Sequence, residues 1–152
     1  MDILRTYSFI KLCIDHVIKE ENIIFKASEN APSTFKGIKE YFSKNSEYMV
    51  YNGGDHGYLE EYNIKFRAVH DYMHIKYDLS FRFEDEKKLS DITARKFASI
   101  AYNHFNCTHY DMACIMRVIN AEIKGQIEYY ELNNSYVVDQ KHFINDYLEE
   151  IA

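Results

Sequence analysis

The chain has 152 residues, enough for one hydrophobic core and short for two ordinary domains. Apolar residues make up 47% and charged residues 28%, with only 5 Gly and 1 Pro, which excludes collagen-like, linker-rich and disordered chains and disfavours a many-turned β-sandwich or barrel. With 18 Lys plus Arg against 24 Asp plus Glu, the net charge is −6, so the chain lacks the phosphate-neutralising drive of a general nucleic-acid binder.

In chain order, the helical spacing of Phe9, Leu12, Cys13, Val17 and Phe25 predicts a first helix over about residues 3–26. Asp2, Arg5, Lys11 and Asp15 interrupt any signal-peptide core there, and no apolar stretch approaches the ~20 residues of a membrane span. Asn30-Ala31-Pro32-Ser33 breaks the pattern, and Ser33 or Thr34 can cap a short second helix containing Phe35, Ile38 and Phe42. The alternation from Glu47 to Tyr51 predicts a strand. Asn52-Gly53-Gly54-Asp55 is a turn signal, and Tyr58-Leu59 is the expected return strand, giving a hairpin near 47–60.

Asn63 can cap a third helix to about Lys76, and Ser80 to Phe83 turns the chain into a fourth running to about His104. Glu84, Asp85 and Glu86 complement the positive end of that helix. Thr108 and Asp111 form a capping-box pattern for a fifth helix to about Tyr130, and a last helix spans about residues 139–151. The expected fold is mainly α: a single domain over 1–152, a compact bundle of five to six helices with one small β-hairpin. Cys13, Cys107 and Cys114 are an odd number without CxxC spacing, which points to buried thiols in a reducing compartment.

One constellation carries chemistry. His70 and His74 are four residues apart, which on a helix stacks their imidazoles one turn above the other. Two nitrogens so placed can share one metal ion, as in helical HxxxH sites, with a third ligand from Asp78, Glu84, Asp85 or Glu86 across the next turn. Two His and one carboxylate with open positions suit catalytic zinc or non-haem iron. The same pair also suits a hydrogen-bonded part of the core, and spacing leaves both open. Asp71 projects about 100° from His70 on a regular helix and is placed to orient a ligand or act as general base. Arg67 is placed either to hold a substrate phosphate or to pair with an acidic neighbour.

The stretch Asn63 to His74, with Leu79-Ser80-Phe81 and Glu84-Asp85-Glu86 after it, resembles a family of small bacteriophage proteins that share Arg-Ala-x-His-Asp-x-x-His, then a Phe and a nearby Glu. The Tyr51-Asn52-Gly53-Gly54-Asp55-His56-Gly57 turn fits that family's upstream segment, so the resemblance covers about residues 48–90. Family members often carry Trp where this chain has Val69. The resemblance implies a metal site at His70, His74 and Glu86 but supplies no reaction. The His70-Asp71 doublet is also similar to that of the all-helical HD-domain phosphohydrolases, which would need His16 or His56 upstream and Asp91 or Asp111 downstream.

His104 and His109 fit a helix–helix junction better than the metal site, since His104 lies 18 residues beyond Glu86, about 27 Å along a continuous helix. The leading expectation is a phage-type cytoplasmic metalloprotein (host cytoplasm if viral) holding zinc, iron or manganese. It would hydrolyse a small phosphorylated or nucleotide-like substrate, a choice resting on Arg67 and Arg82. The competing expectation is a non-enzymatic module that binds a host protein through an acidic, Tyr-rich surface. Neither expects nucleic acid or membrane as partner.

Overall fold

Capping chemistry sets most helix boundaries in the computed structural model, which describes residues 1–150. Helix α1 (Ile3–Glu20) starts at Asp2, whose carboxylate accepts from the Arg5 amide at 3.1 Å. It stops at Glu20, short of the expected end, because Asn22 takes the left-handed φ of 51° that Asn tolerates better than most residues. The β-branched run beyond it leads into β1 (Phe25–Ser28), so Phe25 belongs to a strand and not to α1.

Helix α2 (Phe35–Asn45) is capped by Thr34, whose hydroxyl accepts from the Gly37 amide at 3.0 Å. Strand β2 (Tyr48–Tyr51) falls where the alternation predicts it, with Tyr48 and Val50 facing the core. The hairpin near 47–60 is nevertheless absent. β2 pairs in parallel with β1, from Phe25 beside Tyr48 to Ser28 beside Tyr51, and α2 is the crossover that parallel pairing requires. Tyr58 and Leu59 lie in a 3₁₀ turn (Gly57–Leu59) that buries Leu59 instead of returning as a strand.

Helix α3 (Tyr62–Tyr77) takes Asn63 into its first turn rather than as its cap, and ends at Asp78 with φ 52°. Helix α4 (Phe83–His104) follows a short turn, and α5 (His109–Asn120) opens on the expected capping box. The Thr108 hydroxyl accepts from the Asp111 amide at 3.0 Å, and the Asp111 carboxylate accepts from the Thr108 amide at 2.9 Å. Helix α5 continues without a break through a π-turn (Ala121–Gly125) into α6 (Gln126–Asn133), and α7 (Gln140–Glu150) closes the described chain. Ile151, expected in the last helix, lies outside the described residues.

The fold is mainly α. Helix α1 packs on α3, α4 and α5, and Ile14, Met73, Leu89, Phe97, Ile115 and Ile119 at their interface are wholly buried. Each such side chain contributes about 1.5–3 kcal/mol by leaving water. All three cysteines are buried and free. Among the described residues no helix is long and apolar enough to cross a membrane.

Candidate functional site

Helix α3 supplies His70 and His74, and the turn after it brings α4 back across them. That turn is held by its own hydrogen bonds. The Leu79 amide donates to the His74 carbonyl at 3.1 Å, and the Ser80 amide and hydroxyl donate to Asp85 Oδ2 at 2.9 and 2.7 Å. Asp85 is thereby committed to the turn, and its neighbour Glu86 falls over the two imidazoles.

The three side chains converge. His70 Nε2 and His74 Nε2 are 3.0 Å apart, His70 Nε2 lies 3.3 Å from Glu86 Oε2, and His74 Nε2 contacts Glu86 Oε1 directly. One donor atom from each residue lies within 4.8 Å of the others. Metal–ligand bonds of about 2.0–2.1 Å place neighbouring donors of a tetrahedral ion about 3.3 Å apart, close to two of these separations.

His74 is wholly buried, and its Nδ1 lies 2.6 Å from the Leu79 carbonyl, an acceptor only, so Nδ1 carries a proton and donates. In the neutral ring Nε2 is then a lone pair that can accept from His70 Nε2 but also faces a carboxylate oxygen. A proton shared within the cluster or a cation between the donors removes that repulsion. A backbone carbonyl on the far ring nitrogen is also the usual device for orienting a metal-ligating imidazole. His70 Nδ1 has no hydrogen-bond partner among the described residues. Burial alone would raise the Glu86 carboxyl, but the His70 and His74 rings hold it well below the usual carboxylate range. Phe81 packs edge-on against His74 with ring centroids 4.6 Å apart, so one side of the cluster is apolar.

The other side is open. His70 and Glu86 line a cavity of about 310 Å³ that Asp71 and Arg67 also reach. Asp71 stands outside the three-donor cluster. Burial pushes its carboxyl up to about 7, with His74 and Arg67 opposing the rise and Glu86 adding to it. Arg67 is half-buried, which lowers its pKa, and it donates to the Tyr51 carbonyl while lying over the Tyr51 ring at 5.7 Å. Of the two alternatives for Arg67, no acidic partner within ion-pair distance is found among the described residues. Arg67 also borders a second cavity of about 730 Å³ that contains Tyr51, Phe81 and Tyr136.

Other candidates fall elsewhere. Glu84 and Arg82 are exposed, and Arg82 lines neither cavity. Asp78 pairs with Lys39 at 3.7 Å. His16 packs on His104 with centroids 4.4 Å apart, and His109 stacks on Tyr102 at 5.2 Å. Asp91 is exposed, and Asp111 is bound by Arg5 through two 3.0 Å contacts. His56 reaches the cavity without joining the donor cluster. Sequence spacing missed Glu122, Gln126 and Gln140, which come from the far end of the chain and line the same cavity. No family model, no curated protein and no solved structure matches this chain.

Proposed function

We propose that His70, His74 and Glu86 bind one divalent transition metal ion, zinc, iron or manganese, and that the protein is a metal-dependent hydrolase of a small phosphorylated substrate. The observation that carries this reading is the pairing of His74 Nδ1 with the Leu79 carbonyl. It leaves His74 Nε2 facing His70 Nε2 and Glu86 at the wall of a cavity. Two imidazoles and a carboxylate leave open positions for water, whose pKa the ion lowers toward neutrality. Asp71, next to the ligands and in the cavity wall, takes the proton of that water. Arg67, a half-buried cation with no carboxylate at ion-pair distance among the described residues, holds the phosphoryl oxygens. Arg82 drops out of the substrate site, so Arg67 alone supports the phosphate.

The buried thiols and the absence, among the described residues, of a helix able to span a membrane support a cytoplasmic setting, in the host if the resemblance to phage proteins holds. The second reading, a module that binds a host protein, is favoured by one feature. Leu132, Tyr136 and Val138 are 86%, 79% and 85% exposed around the segment between α6 and α7.

Metal content and phosphate release decide between them. Purified parent protein is expected to carry about one transition metal per chain, and a His70→Ala/His74→Ala variant almost none, because a lone carboxylate holds such ions poorly. The loaded parent should release phosphate from simple phosphomonoesters and stop when chelated. A parent that binds no added zinc, manganese or iron ends the metal reading and leaves the His74–Glu86 pair as an internal ion pair. A parent that binds metal but hydrolyses nothing favours the binding module.

A further inference from the structure

Glu122 has no role in the reaction outlined above, yet it lines the same cavity as His70, Asp71 and Glu86. Its position is a backbone effect. The π-turn Ala121–Gly125 adds a residue to the helix formed by α5 and α6, which re-aims the side chains that follow. Such turns give up regular helical bonds and are frequent at functional sites. This one is held from outside. A Cβ at Gly125 would stand 2.9 Å from the Tyr147 ring of α7, so glycine is what lets α7 close on the turn.

Two polar side chains fix the carboxyl. Tyr7 on α1 donates its hydroxyl to Glu122 Oε1 at 2.6 Å, and Gln126 donates to Oε2 at 3.3 Å. The Gln126 amide also contacts Gln140 Oε1 at the start of α7. Building on the hydrolase reading above, we propose that Glu122 is the general acid of this cavity, protonating the leaving-group oxygen of a phosphomonoester whose phosphoryl group sits between His70, Glu86 and Arg67.

In that step a water oxygen bonds to phosphorus while the bond from phosphorus to the alcohol oxygen breaks, its electron pair staying on that oxygen. The water's proton goes to Asp71 and the Glu122 proton goes to the departing oxygen. The products are the alcohol and inorganic phosphate, and return of the proton from Asp71 to Glu122 through solvent resets the site. Burial pushes the Glu122 carboxyl up to about 7 against the pull of Tyr7 and Gln126, so a proton can reside on it near neutral pH. The titratable groups around the cavity are Tyr7 on α1, Asp55 and His56 before α3, Arg67, His70 and Asp71 on α3, Glu86 on α4, Tyr130 on α6 and Tyr136 after it. None of the charges among them offsets the burial of Glu122.

A general acid is recognised by the leaving group it helps. With metal-loaded protein, Glu122→Gln should cut hydrolysis of an alkyl phosphate by about 10²–10³-fold. It should leave p-nitrophenyl phosphate within about threefold, because nitrophenolate departs without a proton. A purely structural role predicts equal losses on both esters, and that result, or no loss on either, overturns the assignment. A second readout needs neither metal nor turnover: a carboxyl carbon-13 titration of the metal-free protein should show Glu122 protonated at pH 6 and titrating near 7. Titration in the ordinary carboxylate range sinks the acid role even in an active enzyme. Titration near 7 with neither ester hydrolysed by the parent sinks the hydrolase reading and this role with it.

Discussion

The two ends of α4 both gather histidine, carboxylate and arginine, and they use them differently. At the start of the helix, Glu86 sits against His70 and His74, with the His74 Nε2 lone pair turned toward a carboxylate oxygen and His70 Nδ1 without a hydrogen-bond partner among the described residues. Past its end, the Arg5 guanidinium grips Asp111 through two 3.0 Å bonds while Asp111 also closes the cap of α5. His104 there is exposed and packs on His16. The Arg5–Asp111 pair at the second end is satisfied within the chain. The first end keeps its donors pointed at one another beside a cavity, which is the arrangement the proposed metal ion would complete.

The largest difference should appear when the first end is dismantled. The His70→Ala/His74→Ala variant should lose its metal almost completely. Its melting temperature should no longer respond to added zinc, since only an ion bound by the folded state adds its binding free energy to stability. Melting curves with and without zinc, run beside metal analysis, check both. Next in size is Asp71→Asn. If Asp71 is the base, the variant should retain its metal and lose about 10²–10⁴-fold in kcat for a phosphomonoester. Metal loss in that variant would move Asp71 into the ligand set.

How much of this contrast was legible in the sequence depended on range. The His70–His74 pair follows from helical spacing alone, and Glu86 needed only one turn more, with Asp85 locking that turn through Ser80. The capping box at Thr108 and Asp111 is equally local and forms as read. Long-range pairing was another matter. Gly53-Gly54 looks like a hairpin turn, but β2 finds its partner at β1, whose residues follow a helix and carry its apolar pattern for a few positions more. Asn22 was the local mark of that boundary. Glu122 had no such mark beyond Gly125, because a π-turn is set by what packs on the helix rather than by its own residues. Its role as a cavity residue also depends on Tyr7, 115 positions away.

At the second end, smaller effects of another kind are expected. Asp111→Ala removes the capping box and both bonds to Arg5, and should cost about 1–2 kcal/mol without changing metal content. For a chain of this size that lowers the melting temperature by about 2–8 °C. Hydrogen bonds from Arg5 and the Thr108 amide hold the Asp111 carboxyl well below its unfolded value. A depressed carboxylate adds stability above its unfolded pKa, about 3.9, and loses it as pH falls through the folded value. Denaturant melts should therefore show the gap between parent and variant at full size at pH 6 and shrinking below about pH 4. A gap that widens in acid would mean that Asp111 is not stabilised in its charged form.

The smallest change separates the two histidine groups most sharply. His104 is exposed, and its ring meets only His16 and Phe105 among aromatic neighbours. A glutamine there keeps a polar, flexible side chain at the end of α4 and leaves the Arg5–Asp111 pair untouched. Exposed substitutions of this kind usually stay within about 0.5 kcal/mol, so His104→Gln should melt close to the parent. It should also bind the same metal with the same stoichiometry, because Glu86 lies 18 residues earlier on one unbroken helix, about 27 Å away along the axis. If His104→Gln halves the metal content while the His70→Ala/His74→Ala variant keeps its own, the ion belongs at the other end of α4.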